Sequence, residues 1–370
     1  MDVMTIGLLI GGLALLTVGG ELLVRGSSQL AALAGISPLV IGLTVVSFGT
    51  SSPELAVSVQ SGLAGKSDIA VGNVVGSNIF NILFILGACA VISPLVVAVQ
   101  LIRREVPFMI AVSLLVAAFA LDSRIGWLDG LLLFGLLVGY TVWSIYASRK
   151  EGAEAQAEYA QEFGPDRLPT GSRAKVWLMS ISFVVIGLGL LALGSNWLVE
   201  SATTLARAFG VSDVIIGLTI VAAGTSLPEV VASIVATLKG ERDIAIGNAI
   251  GSNIFNLLGI VGIAALVTPG GLTVASSVIT FDLPVMIAVA FAVLPIAVSR
   301  LSINRWEGAL FLGYYVAYTA YLVLAAAQHD ALPAFSGVMA LFVLPITVIT
   351  LLILAINAVR RRDWATPQTQ

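Results

Sequence analysis

Glu54 and Glu229 sit in one phrase written twice. Gly49 to Asn81 reads GTSSPELAVSVQSGLAGKSDIAVGNVVGSNIFN, and Gly224 to Asn256 reads GTSLPEVVASIVATLKGERDIAIGNAIGSNIFN. The copies lie 175 residues apart and agree at 19 of 33 positions. The agreement covers Thr50 with Thr225, Ser51 with Ser226, Asn73 with Asn248, Ser77 with Ser252 and Asn81 with Asn256. Core packing would repeat hydrophobicity, not hydroxyls, carboxamides and a carboxylate at fixed offsets. A carboxylate at the centre of a bilayer costs at least about 2.5–3.5 kcal/mol. Neither glutamate has a cationic residue within its own apolar stretch, so a mobile cation is the simplest counter-charge.

The ligands on offer are hard oxygens, with no thiolate or imidazole among them. Such donors suit Ca²⁺, which takes six to eight oxygens at about 2.3–2.6 Å, and by the same hardness Na⁺. They argue against zinc and copper. Two carboxylates balance one Ca²⁺ or two monovalent cations, so one pocket could hold either in turn. No resident cofactor is expected; the ions themselves would be substrates. Cys89 is the single cysteine and excludes an intrachain disulfide, and His329, the single histidine, reads as a solvated loop residue.

Pro53 and Pro228 indicate how these groups are positioned. Proline inside a helix removes one amide donor and clashes with the carbonyl four residues earlier, here that of Gly49 or Gly224. Each helix is therefore expected to break near its middle, freeing carbonyls around 47–50 and 222–225, including those of Ser47 and Ala222. Irregular backbone at membrane depth survives only against protein, water or a ligand. In the other arm, Asn73, Ser77 and Asn81 share one helix face, as do Asn248, Ser252 and Asn256, because four-residue spacing stacks side chains. Gly72, Gly76, Gly247 and Gly251 form small-xxx-small pairs that permit close helix approach.

The surrounding chain is 58% hydrophobic and 11% charged, with mean hydropathy +1.03. Apolar stretches of roughly 20 residues recur along it, each able to span the hydrocarbon layer. The fold class is an all-α polytopic membrane protein, with spans expected at 4–24, 37–62, 69–92, 105–121, 127–147, 175–199, 212–238, 244–267, 281–299, 306–327 and 335–359. The N-terminus lacks a basic leader region and reads as the first span. Five spans fill one repeat period, so the second copy enters the membrane upside down. Two inverted five-helix repeats follow, 1–148 and 175–327, joined by a linker at 149–174 and followed by an additional helix and basic tail at 328–370.

With the N-terminus outside, fifteen of the 18 Lys and Arg residues lie on the cytoplasmic side, leaving only Lys66, Arg124 and Arg207 outside. That bias places the linker and C-terminus in the cytoplasm. The linker, with Glu151, Glu154, Glu158 and Glu162 at helical spacing before Gly164-Pro165 and Pro169, reads as a solvated helix. Asp68 and Asp243 read as helix N-caps. Glu105 and Asp282 read as acids at span starts, where the helix dipole favours them. Glu21, replaced by Asn196 in the second copy, reads as an interfacial carboxylate or part of an access path.

GTSSPE with GNVVGSNIFN, and GTSLPE with GNAIGSNIFN, resemble the paired α-repeats of the Ca²⁺:cation antiporter superfamily, above all prokaryotic sodium/calcium exchangers. The resemblance covers about residues 1–327 and implies a ten-helix core, with the eleventh span appended. Carried over, it implies Ca²⁺ held by Glu54, Glu229 and the carbonyls of Thr50 and Thr225, completed by Asn81 and Asn256. It implies flanking Na⁺ sites at the Ser47 and Ala222 carbonyls and around Ser51, Ser226, Ser77 and Ser252, and access alternated by sliding of the first and sixth helices. K⁺-dependent relatives tend to carry Asp in the second repeat where Asn256 stands here, which favours K⁺ independence.

The expected activity is secondary exchange of Na⁺ for Ca²⁺, in the direction of Ca²⁺ efflux, across a prokaryotic plasma membrane. The partners are these two ions and the bilayer, with no nucleic acid; a monomer would suffice for transport. H⁺/Ca²⁺ antiport and a cation channel are the alternatives. An enzyme is disfavoured, because no nucleophile–base pair or phosphate-binding loop is present.

Overall fold

Prolines and glycines punctuate an otherwise helical chain. The computed structural model describes residues 3–163 and 173–361. Arg167, Gly164-Pro165 and Pro169 of the linker, and the tail from Arg362 onward, lie outside the described residues. Among the described residues, nine helices are long and apolar enough to cross a membrane. The pair Pro38–Thr50 and Ser52–Leu63, bent by 47°, makes a tenth. Its counterpart, the seventh span expected from the sequence, is broken between Ala222–Gly224 and Leu227–Leu238, the second of which is a shorter apolar helix.

Several helices overrun the lengths that hydropathy suggests. The first span is Val3–Ala34 and the sixth Arg173–Ala208, ten and nine residues past their expected ends. At 1.5 Å per residue, each exceeds a hydrocarbon layer about 30 Å thick, so both must tilt or project beyond it. They run against each other through glycines. A Cβ at Gly12 would meet the Gly194 carbonyl at 2.9 Å, and one at Gly187 would meet that of Gly19 at 2.8 Å. The fifth span, Trp127–Phe163, carries its helix through the first part of the expected linker. The fourth starts at Leu101 instead of 105.

The third span, Ser67–Ile92, and the eighth, Arg242–Val267, are the most deeply enclosed. They carry the Asn-Ser-Asn arms. π-helical turns recur at matched places: Gly42–Val46 with Gly217–Val221, Asn81–Leu86 with Asn256–Ile260, and Leu101–Glu105 with Val278–Asp282. Such turns disturb the regular hydrogen-bond ladder and recur at functional positions. Two short antiparallel ladders tie the halves together, Leu95–Val96 with Ser302–Ile303 and Arg124–Ile125 with Leu272–Thr273. Each joins a loop of one repeat to a loop of the other, the pattern that two inverted repeats about a pseudo-two-fold axis produce. The last helices, Leu332–Val338 and Leu344–Arg361 with the π turn between them, have no counterpart in the first half; the second packs on the ninth span, 278–300, and the first on the tenth, Arg305–Ala326.

Two readings of acidic residues change, and a third, that of Glu21, narrows to the interfacial carboxylate. Asp68 and Asp243 are not caps; Lys66 and Glu241 occupy the cap positions, and the aspartates stand in the first turn, where the dipole still favours them. Glu105 closes a π turn inside its span and is fully buried. It accepts hydrogen bonds from the Tyr140 hydroxyl at 2.5 Å and the Gln100 amide at 3.0 Å. Asp282 repeats this with Tyr318 at 2.8 Å. Glu21 pairs with Lys239 at 2.8 Å across the first and seventh spans, an exposed pair that contributes little to stability. His329 is exposed, and its Nδ1 accepts from the Ala331 amide at 3.1 Å.

Candidate cation site

Each helix break falls at a serine: Ser51 (φ −82°, ψ 7°) and Ser226 (φ −88°, ψ 7°). Pro53 and Pro228 then occupy the second positions of new helices, in the first turn, where an amide has no intrahelical partner and its absence is harmless. This geometry sets Glu54 and Glu229 in the first turn beyond each break, both 1% exposed.

The serine of each break serves the glutamate of the other repeat. Ser51 Oγ donates to Glu229 Oε1 at 2.7 Å, and Ser226 Oγ donates to Glu54 Oε1 at 2.8 Å. Ser226 Oγ also reaches Ser77 Oγ at 3.2 Å. Each carboxylate thus has one oxygen fixed, while Oε2 of both glutamates is buried with no hydrogen-bond partner in the protein. Among the described residues no third acidic, histidine or cysteine side chain joins them as a metal-binding group.

Asn81 and Asn256 complete the pattern through a pair of residues that four-residue spacing did not single out. Asn81 Nδ2 donates to Asn253 Oδ1 at 3.0 Å, and Asn256 Nδ2 donates to Asn78 Oδ1 at 3.0 Å. Asn78 and Asn253 in turn donate to each other's backbone carbonyls at 3.3 and 3.2 Å. The amide ends of Asn81 and Asn256 are therefore occupied, and their buried Oδ1 atoms have no partner. Ser252 Oγ is likewise buried and unpartnered. The sequence signal for Asn78 and Asn253 was their exact repetition within GSNIFN.

The remaining expected residues divide. Asn73 and Asn248 turn their amides to the backbone carbonyls of Glu54 and Glu229, at 3.2 and 3.3 Å, and to Ser58 and Ser233, at 3.0 and 2.9 Å. They brace the glutamate helices from behind. Thr50 Oγ1 donates to Asn248 Oδ1 at 3.1 Å. The expectation of unpaired carbonyls at the breaks needs correction. The Ser47 carbonyl accepts the Ser51 amide at 3.0 Å, and the Gly224 carbonyl freed by Pro228 accepts the Ser195 hydroxyl of the sixth span at 2.6 Å. Ser195 is a further residue that sequence reasoning missed, because its counterpart in the first repeat is Gly20.

The two repeats are not equally closed. Ser47 is 1% exposed, while its counterpart Ala222 is exposed. A Cβ at Gly251 would lie 2.5 Å from the Leu43 backbone, and one at Gly247 would lie 2.6 Å from the Leu39 carbonyl. Their counterparts Gly76 and Gly72 have nothing within 4 Å, and neither does Gly217, counterpart of the tightly packed Gly42. The first half of the second span is thus clamped on the eighth, whereas the matching part of the seventh, around Gly217, stands off the third.

A protein-family model described as sodium/calcium exchanger protein matches residues 4–146 and 179–324, one block for each repeat. The candidate antiporter CaxA of Alkalimonas amylolytica is 41% identical over 325 residues, 86% of this chain and 98% of its own length. The sodium/calcium exchanger MaX1 of Methanosarcina acetivorans is 33% identical over 343 residues, 84% of this chain and 96% of its own. A solved structure of the sodium–calcium exchanger NCX_Mj, without Na⁺ and Ca²⁺ in the soak, superposes with a TM-score of 0.74 at 29% identity, covering 87% of this chain and all of that one. Two family blocks, full-length relatives and the ten-helix core agree with the doubled oxygen cage, and the chain belongs to the sodium/calcium exchanger family of cation/Ca²⁺ antiporters.

Proposed function

We propose that this chain exchanges Na⁺ for Ca²⁺ by alternating access, without K⁺, and in the direction of Ca²⁺ efflux down the Na⁺ gradient. One observation carries the reading: six buried side-chain oxygens, on Glu54, Glu229, Asn81, Asn256, Ser252 and Thr225, have no hydrogen-bond partner in the protein. An unsatisfied buried acceptor costs about 1–3 kcal/mol, and more when charged, so a set of them drawn from both repeats calls for a cation.

In this reading Ca²⁺ is held by Glu54, Glu229, Asn81 and Asn256, with the carbonyls of Thr50 and Thr225. Na⁺ is held by the Ser47 and Ala222 carbonyls and the hydroxyls of Ser51, Ser226, Ser77 and Ser252. Asn73 and Asn248 hold the glutamates in place. The two carboxylates are neutralised by either cargo, so the sites need not be occupied together. Neutral Asn at both 81 and 256 leaves no third carboxylate to recruit K⁺. Two matching half-sites in one chain, one clamped and one open, suit a transporter in which the halves exchange these roles. With the N-terminus outside, as the Lys and Arg distribution favours, the clamped side faces the cytoplasm of a prokaryotic inner membrane.

Uptake of radioactive Ca²⁺ into Na⁺-loaded proteoliposomes tests the reading. The expected uptake requires the Na⁺ gradient and is indifferent to added K⁺. Uptake that follows a pH gradient and ignores Na⁺ would establish H⁺/Ca²⁺ antiport instead. Currents of single-channel size would establish a pore.

A further inference from the structure

The appended last helix builds something that the ten-helix core lacks. Between the fourth span, 101–122, the ninth and the eleventh lies a groove of about 750 Å³, within the range of about 300–1,000 Å³ typical of small-molecule sites. Its walls are apolar: Ile102 from the fourth span, Phe291 and Pro295 from the ninth, Val348 and Leu352 from the eleventh. Phe291, Val348 and Leu352 are about half exposed, so the groove opens towards the hydrocarbon. Arg103 is the single charged residue among its described lining residues. The neighbouring Arg104 instead lies over the Trp143 ring at 5.8 Å.

We propose that this groove binds one anionic phospholipid, its acyl chain along the wall formed by the eleventh span and its phosphate at Arg103. Two observations argue for this occupant. An apolar concavity at bilayer depth has hydrocarbon as its natural filling, while a guanidinium at its end matches a phosphodiester in charge and geometry. The internal duplication supplies a comparison as well. At the offset of 177 that aligns Glu105 with Asp282, the counterpart of Arg103 is Thr280, whose hydroxyl is turned to the Ser276 carbonyl, and no helix corresponds to the eleventh there. Cation and covering helix occur together, on one side only. Arg103 lies on the side that the charge distribution assigns to the cytoplasm, where basic pockets between spans meet anionic headgroups. The proposal is independent of which ions are exchanged.

The test is native mass spectrometry of the full chain, released from nanodiscs of equal phosphatidylglycerol and phosphatidylcholine. The wild type is expected to retain one phosphatidylglycerol. Arg103→Gln is expected to weaken that retention about fivefold, the effect of one basic residue at a membrane surface. Arg104→Gln is expected to leave it unchanged, and Ala292→Trp, which fills the groove, is expected to abolish it. Equal retention of both lipids, or equal loss in both arginine variants, would overturn the proposal. So would a lipid-free dimer broken by Ala292→Trp, which would make the occupant a second copy of the chain.

Discussion

Replacing Glu229 by Gln removes one charge from the cage and almost nothing else. Glu229 is 1% exposed, its Oε1 is fixed by Ser51 at 2.7 Å, and its Oε2 is unpartnered. Glutamine keeps the volume and an acceptor for Ser51, so the fold should hold. Its amide nitrogen, however, must either face Ser51 or point donor hydrogens into a site built to surround a cation. A Ca²⁺ ion then keeps one carboxylate, that of Glu54, and carries an uncompensated positive charge out of water. Removing one partner of a buried charge pair costs about 3–5 kcal/mol, which is about two to four decades of Ca²⁺ affinity. Glu54→Gln should behave alike, because Ser226 holds Glu54 as Ser51 holds Glu229. The assay is radioactive Ca²⁺ uptake into Na⁺-loaded proteoliposomes, with calorimetric Ca²⁺ titration of the same purified protein. Wild-type exchange in both variants, at normal membrane insertion, would refute the assigned cage.

Three further outcomes follow from the same geometry. Asn253→Ala strips the acceptor that occupies the Asn81 amide and lets that carboxamide rotate; Ca²⁺ affinity should fall by about 1–3 kcal/mol equivalent, measurable by calorimetry, while Na⁺ binding changes less. Gly76→Val meets open space here but would obstruct the close packing that Gly251 now makes if the halves exchange roles. Ca²⁺ binding should therefore survive while Na⁺-driven flux is lost, and unimpaired flux would argue against that exchange. Ser195→Ala uncovers the Gly224 carbonyl beside the cage and loosens the sixth span from the seventh; amide hydrogen exchange in 222–226 should rise, with transport altered more than Ca²⁺ binding.

Much of this was legible in the duplicated phrase. Repetition of Thr50, Ser51, Pro53, Glu54 and the Asn-Ser-Asn arm marked the candidate half-sites, because polar and ionisable groups at membrane depth are expensive. The prolines located the breaks, and the odd number of spans fixed the inversion. Span ends were less legible: the helix of the first span continues past residue 24 through Arg25 and Ser28, where hydropathy falls but backbone hydrogen bonding persists. Asp68 and Asp243 looked like caps because acids are favoured both at the cap and in the first turn, and only the backbone separates the two.

What sequence alone determined, then, is the inventory: two carboxylates, paired hydroxyls and carboxamides, and an inverted five-helix plan, all properties of residue type and period. Tertiary structure decided which half serves which. That Ser51 holds the glutamate of the opposite repeat, that Asn253 aims Asn81, and that Ser195 covers Gly224 are contacts between residues 29 to 178 positions apart. No periodicity encodes them: the first two exist only once the two halves are packed face to face, and the third only once the sixth span is packed on the seventh. The asymmetry between the clamped Gly251 and the open Gly76 lies still further from the sequence: the same GSNIFN motif is packed closely in one repeat and openly in the other, because the neighbouring helix approaches only one of the two.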